Sequence, residues 1–229
     1  MSLQWRNFDQ VVDLNDAAAA FILACAQLAI ARQQRFRVVM AGGRSPAVIY
    51  RILRHAQTDW SRWHVYFSDE RCVARHDPER NSRMVRDSLL DHVPVPQSQI
   101  HEIPTELGVD DAAVRYGTLV QAHTPFDLVL LGVGEDGHTA SLFPGQVIDA
   151  DAWTVAVHSA PKPPPHRVSM GVRALRATAD VLVIASGAGK RDAIESWRRG
   201  GLLPIRTATD GLQGWVMTDL PAVDFSRPA

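Results

Sequence analysis

Cysteine and lysine are nearly missing from this chain of 229 residues, which contains two of each. Cys25, inside a helical pattern, and Cys72, after a strand, cannot form a disulfide framework or a cysteine metal site, so both read as buried free thiols. Lys162 and Lys190 fall in Pro- or Gly-rich loops, and arginine carries the remaining positive charge. A compact ammonium is not reproduced by a planar guanidinium, so Lys190 reads as functional, while Lys162 is equally open to chance usage. Net charge is also small. A formal value of −1 argues against a general nucleic-acid surface, and any anionic ligand must be held by a local cationic cluster. The longest uncharged run, residues 17–31, reads as too short to span a bilayer, and residues 1–10 lack the basic start and apolar core of a signal peptide. The expectation is a cytoplasmic protein with no membrane partner. No linker, charge block or internal repeat divides residues 1–229, which read as one domain. There is no G-x-S-x-G elbow and no H-E-x-x-H helix, so serine acyl-enzyme and zinc-hydrolase chemistry lack their usual signals. Attack by water, without metal or cofactor, stays open.

What is present is a regular alternation of strand and helix. Asn15 or Asp16 can cap a helix over 17–31, after which residues 36–41 read as a strand. Gly42-Gly43 ends that strand, and Ser45-Pro46 supplies a cap and a favourable first residue for a helix over 47–55. Residues 63–68 form the next strand, ending at Asp69-Glu70-Arg71, and Asn81-Ser82 opens a helix. Residues 100–103, a helix over 110–123, a strand ending at Leu131, a strand near Val155, a strand over 180–186 and a helix over 188–199 continue the series. Residues 167–172 and 215–218 read as edge strands or loops. Strands that are continuous apolar runs predict a mostly parallel sheet covered on both faces: a three-layer, doubly wound, Rossmann-like α/β fold.

The chemistry gathers where strands empty into glycine loops. After the apolar run 126–131 comes Gly132-Val-Gly-Glu-Asp-Gly-His-Thr-Ala-Ser-Leu-Phe-Pro-Gly145. Beyond the carboxyl ends of parallel strands, glycines let backbone NH groups approach an anion, and a histidine titrates near working pH. The run Gly132 to Gly137 satisfies G-x-G-x-x-G, but Glu135 and Asp136 would face a pyrophosphate and Pro144-Gly145 interrupts the required helix, so a dinucleotide is not expected. A neutral imidazole at His138 can take a proton from water while Asp136 or another carboxylate orients it. Arg71 can stabilise an oxyanion or a phosphate, with Asp69 and Glu70 positioning Arg71 or substrate hydroxyls. The turn Gly42-Gly43-Arg44-Ser45 reads as an anion nest. Gly187-Ala-Gly-Lys190 suggests a second phosphate contact without the full spacing of a nucleotide-hydrolysing loop. The rigid Pro161-Lys-Pro-Pro-Pro-His-Arg167 segment can aim Lys162 and Arg167.

These segments together resemble the glucosamine-6-phosphate isomerase/6-phosphogluconolactonase family nearly end to end. The resemblance rests on Gly42 to Pro46, Ser68 to Val73, Asn81 with its helix, Gly132 to Gly145, Pro161 to Arg167 and Gly187 to Lys190. Deaminases of the family usually carry a carboxylate after the Asp-Gly-His turn, whereas Ala140 to Gly145 offers none, which favours the lactonase branch. Arg80 stands where that branch often has serine, and residues 168–172 are atypical. The resemblance implies hydrolysis of 6-phospho-D-glucono-1,5-lactone in the oxidative pentose phosphate route, without cofactor or metal. His138, Asp136 and Arg71 would be catalytic; Gly42, Gly43, Arg44, Ser45, Asp69, Glu70, Arg167 and Lys190 would hold the substrate. Amino-sugar-phosphate deamination and a non-catalytic sugar-phosphate sensor are the alternatives.

Overall fold

The computed structural model describes residues 3–147 and 149–220. In chain order the elements are β1 (Leu3–Asn7), α1 (Val11–Gln33), β2 (Phe36–Met40), α2 (Arg44–Leu53), β3 (Trp63–Phe67), β4 (Asp69–Arg71), α3 (Asn81–Ser88) and β5 (Ile100–His101). They continue with α4 (Val109–His123), β6 (Phe126–Gly132), β7 (Thr154–Val157), β8 (Arg167–Met170), α5 (Val172–Arg176), β9 (Thr178–Ala185), α6 (Arg191–Arg198), α7 (Pro204–Thr209) and β10 (Gly214–Thr218).

Seven strands form a parallel sheet in the order β1-β10-β9-β6-β2-β3-β5. Its central members are apolar because both faces are covered: Leu128 to Leu131 of β6 and Val181 to Ala185 of β9 are buried. Each such side chain removed from water contributes about 1.5–3 kcal/mol, so the run itself is the main reason these segments become central strands. From β2 the chain proceeds outward through β3 to β5; from β6 it proceeds the opposite way through β9 to β10. Right-handed crossovers then place the two sets of helices on opposite faces, which makes the fold three-layered and doubly wound. The reversal falls between the adjacent strands β2 and β6. A crevice opens beyond the carboxyl ends of two strands whose connections diverge, and this is where ligands collect in such sheets.

A second sheet was not anticipated. Ser68 leaves the main sheet and leads into β4, which pairs antiparallel with β8, itself paired with β7. The segments read near Val155 and over 167–172 therefore belong to this small sheet, with β8 at its centre, and β10 lies between β1 and β9 instead of at an edge. One hydrophobic cluster includes residues of both sheets, Val168 and Met170 among them.

Several boundaries differ from expectation. Helix α1 begins at Val11 with Gln10 before it, so Asn15 and Asp16 are interior; the buried row Leu14, Ala18, Ile22, Ala26 starts the apolar stripe a turn earlier than local capping signals imply. At 23 residues, α1 is long and apolar enough to cross a membrane by length and composition, contrary to the length argument from 17–31. Here it contacts β2, β6 and β10 and buries that stripe against them. Helix α2 is capped at Gly43, which places Ser45 and Pro46 inside its first turn. The helix expected from 188 is a 3₁₀ turn over Ala188–Lys190 followed by α6.

Candidate active site

The crevice between the ends of β2 and β6 is a cleft of about 190 Å³. Its floor is made by the turn after β2. A Cβ on Gly42 would lie 1.9 Å from Asn81 Oδ1, so only glycine lets the first residue of α3 close against this turn. Asn81 in turn donates from Nδ2 to the Asp69 carbonyl and to Asp69 Oδ1, both at 3.0 Å.

His138 stands opposite, in a loop closed by Gly134 N donating to the His138 carbonyl at 2.7 Å and Gly137 N to the Gly134 carbonyl at 3.0 Å. The imidazole lies directly on Gly134, where a Cβ would come within 1.9 Å of Nδ1, and its ring is 4.7 Å from that of Phe143. Asp136 Oδ1 is 2.5 Å from Nδ1 and also accepts from the His138 backbone NH at 3.2 Å. An ionised carboxylate is an acceptor only, so Nδ1 carries the proton and Nε2 presents its lone pair. Burial pushes the His138 pKa below its ordinary value; Asp136 opposes that shift, and Lys162 adds to it. Burial thus favours the neutral ring. For Asp136, burial raises the pKa, but the bonds and charge from His138 and the nearby backbone NH groups together hold it below the usual carboxylate range.

The third wall comes from the small sheet. Asp69 is 6% exposed, and its Oδ2 accepts from Ser141 Oγ at 2.6 Å while Ser68 Oγ donates to Oδ1 at 3.2 Å. Arg71 is anchored by Nη1 on the Glu79 carbonyl at 2.5 Å, whereas its buried Nε has no hydrogen-bond partner among the described residues. Arg71 is half-buried and lines the cleft, so its guanidinium offers a positive charge to a ligand oxygen there. Arg167 also lines the cleft, but it is largely committed elsewhere. Nε donates to the Pro164 carbonyl at 3.0 Å, Nη2 to the Lys162 and Pro163 carbonyls at 2.8 and 3.1 Å, and Nη1 to Ser141 Oγ at 3.5 Å. Its main service is to tie the proline loop down. Lys190 reaches the cleft from the turn after β9; burial lowers its pKa, and the charge of Glu135 opposes that.

The structure thus brings Gly42, Gly43, Asp69, Arg71, His138, Arg167 and Lys190 to one cleft, with Asp136 behind His138. Arg44 is exposed and Ser45 half-buried in the first turn of α2, and neither lines the cleft. Glu70 is a correction. It is fully buried and accepts from the backbone NH of Arg71 at 2.8 Å, Asn81 at 2.7 Å and Ser82 at 2.8 Å, with Arg80 Nε at 3.4 Å. It caps the start of α3, holds the backbone of Arg71, and does not line the cleft. Ser141 and Asn81, which hold Asp69, were not singled out as site residues. Ser141 is one of several small residues in its loop, and nothing local marks it. Among the described residues, no group of three or more His, Cys, Asp or Glu could hold a metal ion.

This geometry defines a class: an α/β protein whose cleft, beyond the ends of two parallel strands, gathers cationic side chains around a histidine paired with a carboxylate. Residues 9–216 match the family described as glucosamine-6-phosphate isomerases/6-phosphogluconolactonase, and the chain belongs to that family. It is 37% identical over 210 residues to a 6-phosphogluconolactonase of Mycobacterium leprae, covering 85% of each chain. It is 32% identical to a probable chloroplastic 6-phosphogluconolactonase 4 of rice, covering 95% of this chain and 75% of that one. Among solved structures, 6-phosphogluconolactonase from Thermotoga maritima superposes with a TM-score of 0.85 at 26% identity, covering 94% of this chain and 98% of that one. A monomeric glucosamine-6-phosphate deaminase shares the fold, with a TM-score of 0.82 at 18% identity and coverage of 95% and 97%.

Proposed function

We propose that this protein hydrolyses 6-phospho-D-glucono-1,5-lactone to 6-phosphogluconate, in the oxidative pentose phosphate route. The observation that carries the mechanism is the imidazole of His138 at the cleft, held by Asp136 at Nδ1 with Nε2 left free of that contact. The family relatives named as lactonases supply the substrate. A water molecule beside Nε2 loses a proton to it as its oxygen bonds to the lactone carbonyl carbon. The carbonyl oxygen becomes an oxyanion, which the Arg71 guanidinium and backbone NH groups of the glycine turns receive. Collapse of the tetrahedral species breaks the bond from that carbon to the ring oxygen, and the imidazolium returns its proton to the leaving oxygen. The products are a carboxylic acid, which releases its proton to solvent to become a carboxylate, and a freed hydroxyl. Asp69, fixed by Ser141 and Asn81, is placed to accept from a sugar hydroxyl. The phosphate, remote from the reacting carbon, is held by Lys190 and the NH groups of Gly42 and Gly43; binding energy there positions the lactone for attack. The described residues act as one domain, a reading supported by their common hydrophobic cluster. Action in the cytoplasm is supported by bacterial relatives whose names carry no organelle, although the rice relatives are named chloroplastic.

The test is a progress curve on freshly made lactone, because the substrate also opens spontaneously. Acid release well above the buffer rate is expected; no increment over buffer, or ammonia release from glucosamine 6-phosphate, would overturn the reading. Lys190→Ala should raise KM roughly 10- to 100-fold, the worth of a charge-assisted hydrogen bond, with kcat nearly unchanged. A fall in kcat alone would remove Lys190 from phosphate binding.

A further inference from the structure

Glu135 lies between the only two lysines of the chain, and no step above uses it. Its Oε2 is 3.9 Å from Lys162 Nζ. Its Oε1 rests on Gly189, where a Cβ would come within 3.1 Å, immediately before Lys190 in the chain. Three segments therefore meet over a single carboxylate: the loop carrying His138, the proline-rich loop and the turn after β9. Two of them carry ammonium groups: Lys190 lines the cleft, and Lys162 stands close enough for its charge to act on Lys190 and His138.

We propose that Glu135 tunes phosphate affinity as an internal counter-anion that competes with the substrate phosphate for Lys162 and Lys190. The inference rests on the reading that Lys190 holds that phosphate. The Lys162 and Glu135 side chains are 45% and 66% exposed, so their attraction is weak and is released at small cost. A phosphate dianion carries twice the charge of the carboxylate and takes both lysines; an uncharged sugar cannot. The carboxylate also limits how firmly the lysines retain a phosphate afterwards. That matters because the product keeps the phosphate and gains a carboxylate, so without a competitor it would be held more tightly than the substrate.

The experiment titrates inorganic phosphate calorimetrically into the wild type and Glu135→Gln at low ionic strength. Because Glu135 is exposed, the variant is expected to fold normally. Its phosphate affinity should rise about 3- to 10-fold, and the gain should shrink in high salt, where exposed charges are screened. In the assay, product inhibition should tighten by a similar factor, while KM for unphosphorylated glucono-1,5-lactone stays the same. Phosphate binding that is unchanged or weaker in Glu135→Gln overturns the inference. Turnover is measured separately, so failure of the lactonase reading shows as an inactive wild type and leaves the binding comparison intact.

Discussion

His138→Asn should lower kcat by about 10²- to 10⁴-fold while KM for the phosphorylated lactone stays nearly constant, since a positioned general base contributes on that order. The substitution keeps a side-chain NH that can reach Asp136 and removes only the basic lone pair, which isolates proton transfer from loop structure. The pH dependence follows the same logic. Burial lowers the His138 pKa below its ordinary 6.5 against the pull of Asp136. The rate should therefore be flat at neutral pH and fall on the acid side of 6.5, as protonation of Nε2 removes the base. A titrimetric assay of acid release, corrected for spontaneous opening at each pH, reads both effects. Wild-type turnover in the variant would exclude the proposed role, and a rate rising through pH 8 would point to a different base.

Glu70→Ala should destabilise the fold by about 3–5 kcal/mol, the usual consequence of removing one partner of a buried ion pair. Arg80 would be left buried without its carboxylate, and the backbone NH groups of Arg71, Asn81 and Ser82 would lose their acceptor together. For a chain of this length each kcal/mol is about 2–4 °C in Tm, so a drop of roughly 6–20 °C is expected by calorimetry. Substrate affinity measured well below the melting temperature should change far less than stability does, because Glu70 does not line the cleft. A variant with wild-type Tm and a large rise in KM would reverse the assignment and return Glu70 to the substrate.

Asp69, Glu70 and Arg71 are neighbours in the chain but divide between two surroundings in space. Three adjacent charged residues at a strand end look like one functional cluster. In a strand, successive side chains point to opposite faces, so Asp69 and Arg71 share the cleft while Glu70 turns away into the start of α3. The alternation was available as a rule, but applying it required knowing that β4 is a strand of its own, beyond the kink at Ser68. Arg167 lines the cleft as expected, but in a different state from the one its sequence context suggests. Its charge and its place after a proline loop suggested a phosphate, yet most of its donors are taken by the carbonyls of that loop.

The local chemistry of the site was legible because it depends on short stretches. Apolar runs make buried strands, glycines permit tight turns after them, and Asp136 two residues before His138 can reach the same imidazole within a single loop. What the chain could not declare is which distant stretches meet. Ser141 finds Asp69 across 72 residues, and β2 lies beside β6 because the sheet as a whole must bury its central strands. Backbone conformation and hydrogen bonding within a turn are decided by neighbours in sequence. Strand order, and with it the crevice that collects these residues, is decided by burial summed over the entire sheet, a quantity no segment carries alone.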